Sequence, residues 1–280
     1  MDESSEKFRC SLTKNGYAWE SIPGPFDFRK WNLPVENKLR ISVAPKNLCV
    51  VENANFEDCL EKLTGRFILV IGDSQALTAT QILSFMGTSH PIIASTRAGC
   101  PPLDFRRKTS NPLYDATCRD GAKLRISDEV YSKTSSVIIV SGGRYTVKEL
   151  DSYVSALKSR SIRNILFIGP YLRSEISMSE YIEKFKTKEL INSNFTFTSG
   201  AIWEKYAPNS KNYQPDYFEI TVKRQRLASI NLFKTFCTSS CPIFLDDYPL
   251  LVDTHHYTLN FAFQIYQSSH TVFWNWIKKH

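Results

Sequence analysis

Four short apolar runs, separated by longer connections, constrain the fold of this 280-residue chain more than any other feature. The connections suit helices, most clearly at 74–87 and 146–160. Such runs are typical of parallel strands that are buried on both faces and joined by helical crossovers. The pattern therefore predicts an α/β fold, a three-layer α/β/α sandwich with a parallel central sheet. The runs are RFILVIG, HPIIAST, SSVIIVSGG and RNILFIGP, in chain order.

Residues 1–60 differ in composition from the rest of the chain, being rich in Pro, Asn, Lys and aromatic residues. They show no sustained period of 3.6 or 2. We predict that they form an irregular N-terminal extension or linker, packed on a domain that spans 61–280. No apolar stretch reaches the roughly 18 residues that a membrane span needs. The first residues also lack the basic and apolar regions of a secretory signal, so we expect the chain as given to be soluble.

The net charge of +7 and the pI near 9.0 raise the question of nucleic-acid binding. The basic residues are spread along the chain, however, and their densest groups are short. These groups lack the interleaved aromatic residues that a single-strand binder uses for base stacking. We therefore expect solvated surface charge and no nucleic-acid partner. The densest groups are Arg106-Arg107-Lys108 and Lys223-Arg224 with Arg226.

Six of the seven cysteines fall into three local pairs, and Cys10 is left over. Local pairs that each close a short loop indicate disulfides formed in an oxidising compartment, although reduced buried thiols in a cytosolic protein are the alternative. The CxxC and HxxxH spacings of a tetrahedral zinc site are absent, and we predict no metal. The pairs are Cys49–Cys59, Cys100–Cys118 and Cys237–Cys241.

Four glycine-containing segments follow the apolar runs closely. Because the carboxyl ends of parallel strands meet at one edge of a sheet, these segments should line one crevice. The first segment holds Ser74 at the transition from a strand to a helix. Serine at this position is either a helix N-cap or a nucleophile. The segments are GDS at 72–74, AGC at 98–100, SGGR at 141–144 and GPY at 169–171.

A serine nucleophile needs a base and a group that orients the base. Asp253 precedes His256 by three residues, in a segment followed by an amphipathic stretch. An Asp and a His at this spacing can both face one crevice, and the register favours His256 over His255 as the base. Asp73 is predicted to be structural, because a carboxylate is favourable in the first turn of a helix.

These residues carry a family resemblance. GDSQ at 72–75, together with the late D-x-x-H of Asp253 and His256, resembles the SGNH (GDSL-type) hydrolases. The narrower similarity is to the soluble SGNH domain at the C-terminus of acyltransferase-3 family membrane proteins, and it spans about residues 49–270. It is carried by AGCPPL, SSVIIVSGGRY, RNILFIGPYLR, and by Cys59, Cys118, Cys237 and Cys241.

The resemblance implies a role for individual residues. Ser74 would be the nucleophile, His256 the general base and Asp253 its orienting group. The N–H groups of Ser74 and Gly99 would stabilise an oxyanion. The family places an Asn after the third strand, where this chain reads SGGRYT, so the Gly143 N–H or Arg144 would substitute. Arg144, otherwise a surface ion-pair partner, and Gln75, where His is usual, would contact substrate.

The resemblance also implies an activity. The family O-acylates cell-envelope glycans, usually with acetyl, so we expect an extracytoplasmic O-acetyltransferase domain tethered to a membrane. No cofactor would be bound, and the acyl group would come ultimately from acetyl-CoA through an upstream acyltransferase-3 membrane domain. The partner would be a glycan or polysaccharide acceptor. A carbohydrate O-acetyl esterase and a catalytically decayed glycan-binding module are the alternatives.

Overall fold

The structure is a computed structural model that describes residues 8–13, 16–21, 47–51, 57–96, 100, 112–125, 127–140, 147–169, 217–236, 244–245, 248–251 and 256–278. Its strands are β1 (Phe8–Thr13), β2 (Gly16–Ser21), β3 (Leu48–Val51), β4 (Phe67–Gly72), β5 (Ile92–Thr96), β6 (Thr134–Val140), β7 (Asn164–Gly169), β8 (Ala228–Asn231), β9 (Phe244–Leu245) and β10 (Tyr248–Pro249). Its helices are α1 (Glu57–Lys62), α2 (Ala76–Phe85), α3 (Pro112–Arg125), α4 (Asp128–Lys133), α5 (Val147–Ser159), α6 (Tyr217–Gln225), α7 (Leu232–Phe236) and α8 (Leu259–Ile277).

A parallel sheet forms the centre of the molecule, with the strand order β3-β5-β4-β6-β7-β8. The four predicted apolar runs are its four inner strands. Every residue of β4 and β5 is buried, because helices cover both faces of the sheet. The predicted α/β sandwich with a parallel central sheet is therefore confirmed.

The two edge strands were not predicted. Each of β3 and β8 has only four residues, and each has a single residue that is buried. Because an edge strand has one neighbour and an exposed side, it does not need a continuous apolar run. Strand β3 lies before residue 61, so the sheet begins earlier in the chain than the predicted boundary. The segment predicted as irregular also contains an antiparallel hairpin of β1 and β2.

Helices form one layer on each face of the sheet. Side chains alternate along β4, so Ile68 and Val70 join one core cluster while Leu69 and Ile71 join the other. Helices α2, α7 and α8 cover the first face, and α1, α4, α5 and α6 cover the second. Of the helices in the described ranges, none is long and apolar enough to cross a membrane.

The order of the strands changes direction at β4. Strand β5 lies on one side of β4 and β6 lies on the other side. At such a switch point the connections leave the carboxyl ends of neighbouring strands in opposite directions, which opens a crevice where ligands bind in open α/β sheets. Ser74 follows β4 by two residues, so the fold places it at this crevice.

Two disulfides link helices to the sheet and to the connection that follows β5. Cys49–Cys59 joins β3 to α1, and Cys100–Cys118 joins the connection after β5 to α3. Their Cα–Cα distances are 5.6 and 5.5 Å, within the usual range for a disulfide. Both pairs were predicted, and the third predicted pair, Cys237 and Cys241, lies outside the described residues.

Candidate active site

Gly72 allows the turn that presents Ser74. A Cβ atom at this position would lie 2.6 Å from the Ala76 Cβ and 2.8 Å from the Val140 carbonyl oxygen. Real Cβ atoms do not approach other heavy atoms so closely, so the end of β4 packs against both α2 and β6 only because residue 72 lacks a side chain. The glycine therefore brings the strand-to-helix turn close to the neighbouring strand.

Asp73 stabilises the first turn of α2. The Gln75 N–H donates to Asp73 Oδ1 over 2.9 Å, and the Ala76 N–H donates to the Asp73 carbonyl oxygen over 3.0 Å. A carboxylate here also interacts favourably with the positive end of the helix dipole. Gln75 occupies the N-cap position of α2, without a side-chain cap hydrogen bond. Ser74 is therefore not the N-cap, and its hydroxyl has a different partner.

That partner is His256. The Ser74 Oγ and His256 Nε2 atoms lie 2.9 Å apart, although the two residues are 182 positions apart in the chain. Both residues are half-buried, so the pair is near the surface and can be reached. A hydroxyl within hydrogen-bond distance of an imidazole nitrogen is the arrangement in which histidine accepts the proton of a nucleophilic serine.

The backbone that follows His256 is fixed by contacts with Leu250 and Leu251. Leu251 forms an antiparallel bridge with Tyr257, and the Thr258 N–H donates to the Leu250 carbonyl oxygen over 2.9 Å. Thr258 is also the N-cap of α8, where its side chain accepts a backbone N–H from the first turn. His256 is thus held directly before the start of a 19-residue helix.

Aromatic packing brings α2 and α8 together. Phe85 at the end of α2 contacts Phe263 of α8, with ring centroids 5.2 Å apart. Next to His256, the Tyr257 ring packs on Phe261 at 4.9 Å, and Phe261 packs on Phe236 at 4.8 Å. The Phe85 and Phe263 contact docks α8 on α2, so Ser74, two residues before α2, and His256, three residues before α8, reach the same crevice.

The other predicted site residues either lie away from solvent or fall outside the described ranges. The Gln75 side chain is 1% exposed, which disfavours the predicted direct contact with substrate in this conformation. Within the described part of the chain, no group of three or more His, Cys, Asp and Glu side chains could hold a metal ion. The residues that lie outside the described ranges, and whose roles stay predictions, are Asp253, His255, Gly99, Gly143 and Arg144.

A buried arginine close to this edge of the sheet was not predicted. Arg125 at the end of α3 is 3% exposed, and its Nε donates to Ser95 Oγ over 2.7 Å. Ser95 pairs with Ile71 of β4, three residues before Ser74. One signal in the sequence indicates this burial, because Arg125 follows the disulfide-bonded Cys118 by seven residues, which is two helical turns.

Comparisons with known proteins give a family and a fold. A family model described as the SGNH domain fused to AT3 domains matches residues 45–265. A solved structure with a similar fold is the periplasmic domain of a lipopolysaccharide acetyltransferase from Salmonella ser. Paratyphi A. The two are 20% identical with a TM-score of 0.60, and the alignment covers 88% of this chain and 98% of that chain. No curated protein matches. The chain belongs to the family of SGNH domains that are fused to AT3 domains.

Proposed function

We propose that this protein is an O-acyltransferase domain that transfers an acyl group, acetyl in the first instance, to a hydroxyl of a cell-envelope glycan. The observation that carries the proposal is the 2.9 Å contact between Ser74 Oγ and His256 Nε2 at the switch point of the sheet. Membership of the AT3-fused SGNH family supports acyl transfer. The acetyltransferase with the similar fold acts on lipopolysaccharide, which supports a glycan acceptor.

The proposed reaction has two steps. Ser74 Oγ attacks the acyl carbonyl and its proton moves to His256 Nε2, after which the bond to the donor breaks and the donor leaves with that proton. A glycan hydroxyl then attacks the acyl-serine. Its proton moves to His256, the ester bond to Ser74 breaks, and the proton returns to Ser74 Oγ. In this scheme Asp253 holds the imidazole so that Nε2 faces the serine.

The oxyanion would be stabilised at the start of α2. The Ser74 N–H takes part in none of the hydrogen bonds found among the described residues, and it lies at the positive end of the helix dipole. A preorganised donor of this kind is worth roughly 10²–10³ in kcat. In the proposal, the Gly99 N–H and either the Gly143 N–H or Arg144 complete the oxyanion site.

The proposal also includes a partner and a compartment. The fusion that defines the family supports an AT3 membrane domain as the source of the acyl group, which would originate in acetyl-CoA. The two disulfides favour an oxidising compartment, in agreement with an extracytoplasmic location. The domain would therefore receive the acyl group at the membrane and transfer it to an envelope glycan.

The test is hydrolysis of p-nitrophenyl acetate by the disulfide-bonded protein and its variants, followed by intact mass after incubation with the ester. We expect Ser74→Ala and His256→Gln each to lower kcat/KM by about a thousandfold or more, because the nucleophile and its base act as a unit. The unsubstituted protein should form an acetyl adduct, and Ser74→Ala should form none. Ser84→Ala is the matched control, because Ser84 is a half-buried serine in α2, the helix that follows Ser74. This variant should retain full activity.

The outcomes separate the alternatives. Transfer of the acetyl group from the adduct to an added glycan supports the acyltransferase, whereas hydrolysis alone indicates an esterase. Folded protein that shows neither turnover nor an adduct with the ester would contradict acyl transfer by this site. That result would leave a glycan-binding module as the better description of the domain.

A further inference from the structure

Helix α3 is linked to the chain near the candidate site by a buried polar contact. Arg125 Nε donates to Ser95 Oγ over 2.7 Å, and the two residues are 3% and 2% exposed. Removing a guanidinium from water costs several kcal/mol, so the position of a buried arginine is set by the polar groups that surround it. The contact therefore fixes α3 relative to the next-to-last residue of β5.

The same helix is linked to the chain a second time, by a covalent bond. Cys118 of α3 forms the disulfide with Cys100, and both cysteines are 1% exposed. Cys118 and Arg125 are seven residues apart, so they lie on the same face of the helix. Ser95 and Cys100 are five residues apart in the chain. Helix α3 thus holds both ends of a short segment that follows β5.

The position of this segment matters for the reaction at Ser74. Strand β5 pairs with β4 through Ile71 opposite Ser95 and Gly72 opposite Thr96, directly before the GDS turn. Gly99, the second proposed oxyanion donor, directly precedes Cys100 in the sequence. Oxyanion donors must lie within about 0.5 Å of their productive position to be effective.

We propose that α3 is a brace in which Arg125, Ser95 and the Cys100–Cys118 disulfide position the segment after β5 for stabilisation of the oxyanion. The inference rests on the proposed function. These are positioning residues, because they act on the oxyanion donors and take no part in the transfer of the proton or the acyl group. Breaking the brace should lower kcat more than it changes KM, because misplaced oxyanion donors destabilise the transition state.

The second disulfide provides a matched control. Cys49–Cys59 has nearly the same Cα–Cα distance and closes a loop of similar size, with 10 residues of sequence separation against 18. It joins the edge strand β3 to α1, and β3 is separated from β4 by β5. Both bonds should contribute to stability, but only Cys100–Cys118 adjoins a proposed oxyanion donor.

The experiment compares Cys100→Ala/Cys118→Ala with Cys49→Ala/Cys59→Ala, at a temperature where circular dichroism shows both variants folded. We expect both variants to have a lower Tm. Only the first should show a fall in kcat for p-nitrophenyl acetate, of roughly tenfold to a hundredfold, with KM nearly unchanged. Ser95→Ala tests the polar link without removing a disulfide and should lower kcat in the same way. Ser95→Thr, which keeps the hydroxyl, should restore it.

The possible results distinguish failure of the brace from failure of the proposed function. Equal loss of kcat in the two disulfide variants, or no loss in Cys100→Ala/Cys118→Ala and Ser95→Ala, would overturn the brace while leaving the proposed function intact. The unsubstituted chain and Ser74→Ala are measured in the same assay. If turnover does not depend on Ser74, the proposed function fails and the brace fails with it.

Discussion

The helices on the two faces of the central sheet meet the candidate site in different ways. On one face, α2 and α8 begin at the crevice, and Ser74 and His256 directly precede or adjoin their first turns. These two helices pack through aromatic rings such as Phe85 and Phe263. On the other face, where Ser95 lies beside Ile93 of the second core cluster, Arg125 links α3 to Ser95 and a disulfide links α3 to Cys100.

The two faces therefore hold their parts of the candidate site by different kinds of interaction. Two helix N-termini at one crevice supply positive dipole ends where the proposed oxyanion develops. Apolar packing is sufficient to bring them there, because each helix is long enough to bury a full face. Ser95 and Cys100 lie before and after residues 97–99, and each is linked to α3, Ser95 by a hydrogen bond from Arg125 and Cys100 by a disulfide.

The largest expected effect comes from truncating one buried phenylalanine on each face of the sheet. Phe261→Ala and Phe167→Ala should each lower the free energy of unfolding by about 3–5 kcal/mol, since both rings are fully buried. Phe261 packs on Tyr257, the neighbour of His256, so Phe261→Ala should also lower Ser74-dependent turnover by roughly tenfold. Urea unfolding and ester hydrolysis measure the two effects. If both variants have similar turnover at equal folded fractions, the packing of Phe261 has no special role in placing His256.

A second pair of substitutions uses one glycine from each face. Gly72→Ala should lower the free energy of unfolding by about 1–3 kcal/mol, because the added methyl group meets Ala76 and Val140. Gly121→Ala on α3 should raise it by about 0.5–1 kcal/mol, because the nearest atom to the new Cβ is Arg125 Nη2 at an ordinary 3.6 Å. Thermal unfolding measures both. Effects of the same sign would contradict either the close contact expected at Gly72 or the free space expected at Gly121.

The smallest expected effect concerns alkaline pH. Burial raises the pKa of Tyr131 to about 12, against the opposing charge of Arg160, whose guanidinium lies 4.6 Å from the ring centroid. Tyrosine in the unfolded chain ionises near 10, so above about pH 10 the unfolded state loses this proton first and stability falls as the pH approaches 12. Tyr131→Phe keeps the ring under Arg160 but removes the proton.

We therefore expect the free energy of unfolding of Tyr131→Phe to fall less steeply with pH between about 10 and 12 than that of the unsubstituted chain. Tyr153→Phe should behave in the same way, because burial and the neighbouring Tyr131 raise the pKa of Tyr153 well above its ordinary value. Denaturant unfolding across this pH range is the measurement. Unchanged slopes in both variants would show that these hydroxyls do not resist ionisation in the folded state.

The inner part of the fold was predictable from the sequence, whereas its edges were not. Strands β4, β5, β6 and β7 are buried on both faces and therefore carry continuous apolar runs. LCVV of β3 and ASIN of β8 are short and partly exposed, so they resemble connecting segments. An apolar run in the sequence indicates a buried strand. An edge strand is defined mainly by its hydrogen bonds to a strand that is distant in the chain, and these leave no such run.

The site divides in a similar way. Ser74 and His256 stand in short motifs, so their pairing followed from a resemblance although 182 positions separate them. Arg125 stands in no motif, and basic residues in the last turn of a polar helix, here Lys123 and Arg125, are usually solvated. Its burial depends on the contact with Ser95, 30 positions away, which no local pattern encodes.

The distance along the chain between Ser74 and His256 has a consequence for how the protein gains activity during synthesis. The ribosome produces β4, the GDS turn and α2 long before it produces His256 and α8. Until the last helix emerges and docks on α2, the serine has no neighbouring imidazole and behaves as an ordinary alcohol. Under the proposed function, Ser74 therefore becomes reactive toward acyl donors only after His256 and α8 have been synthesised and α8 has docked on α2.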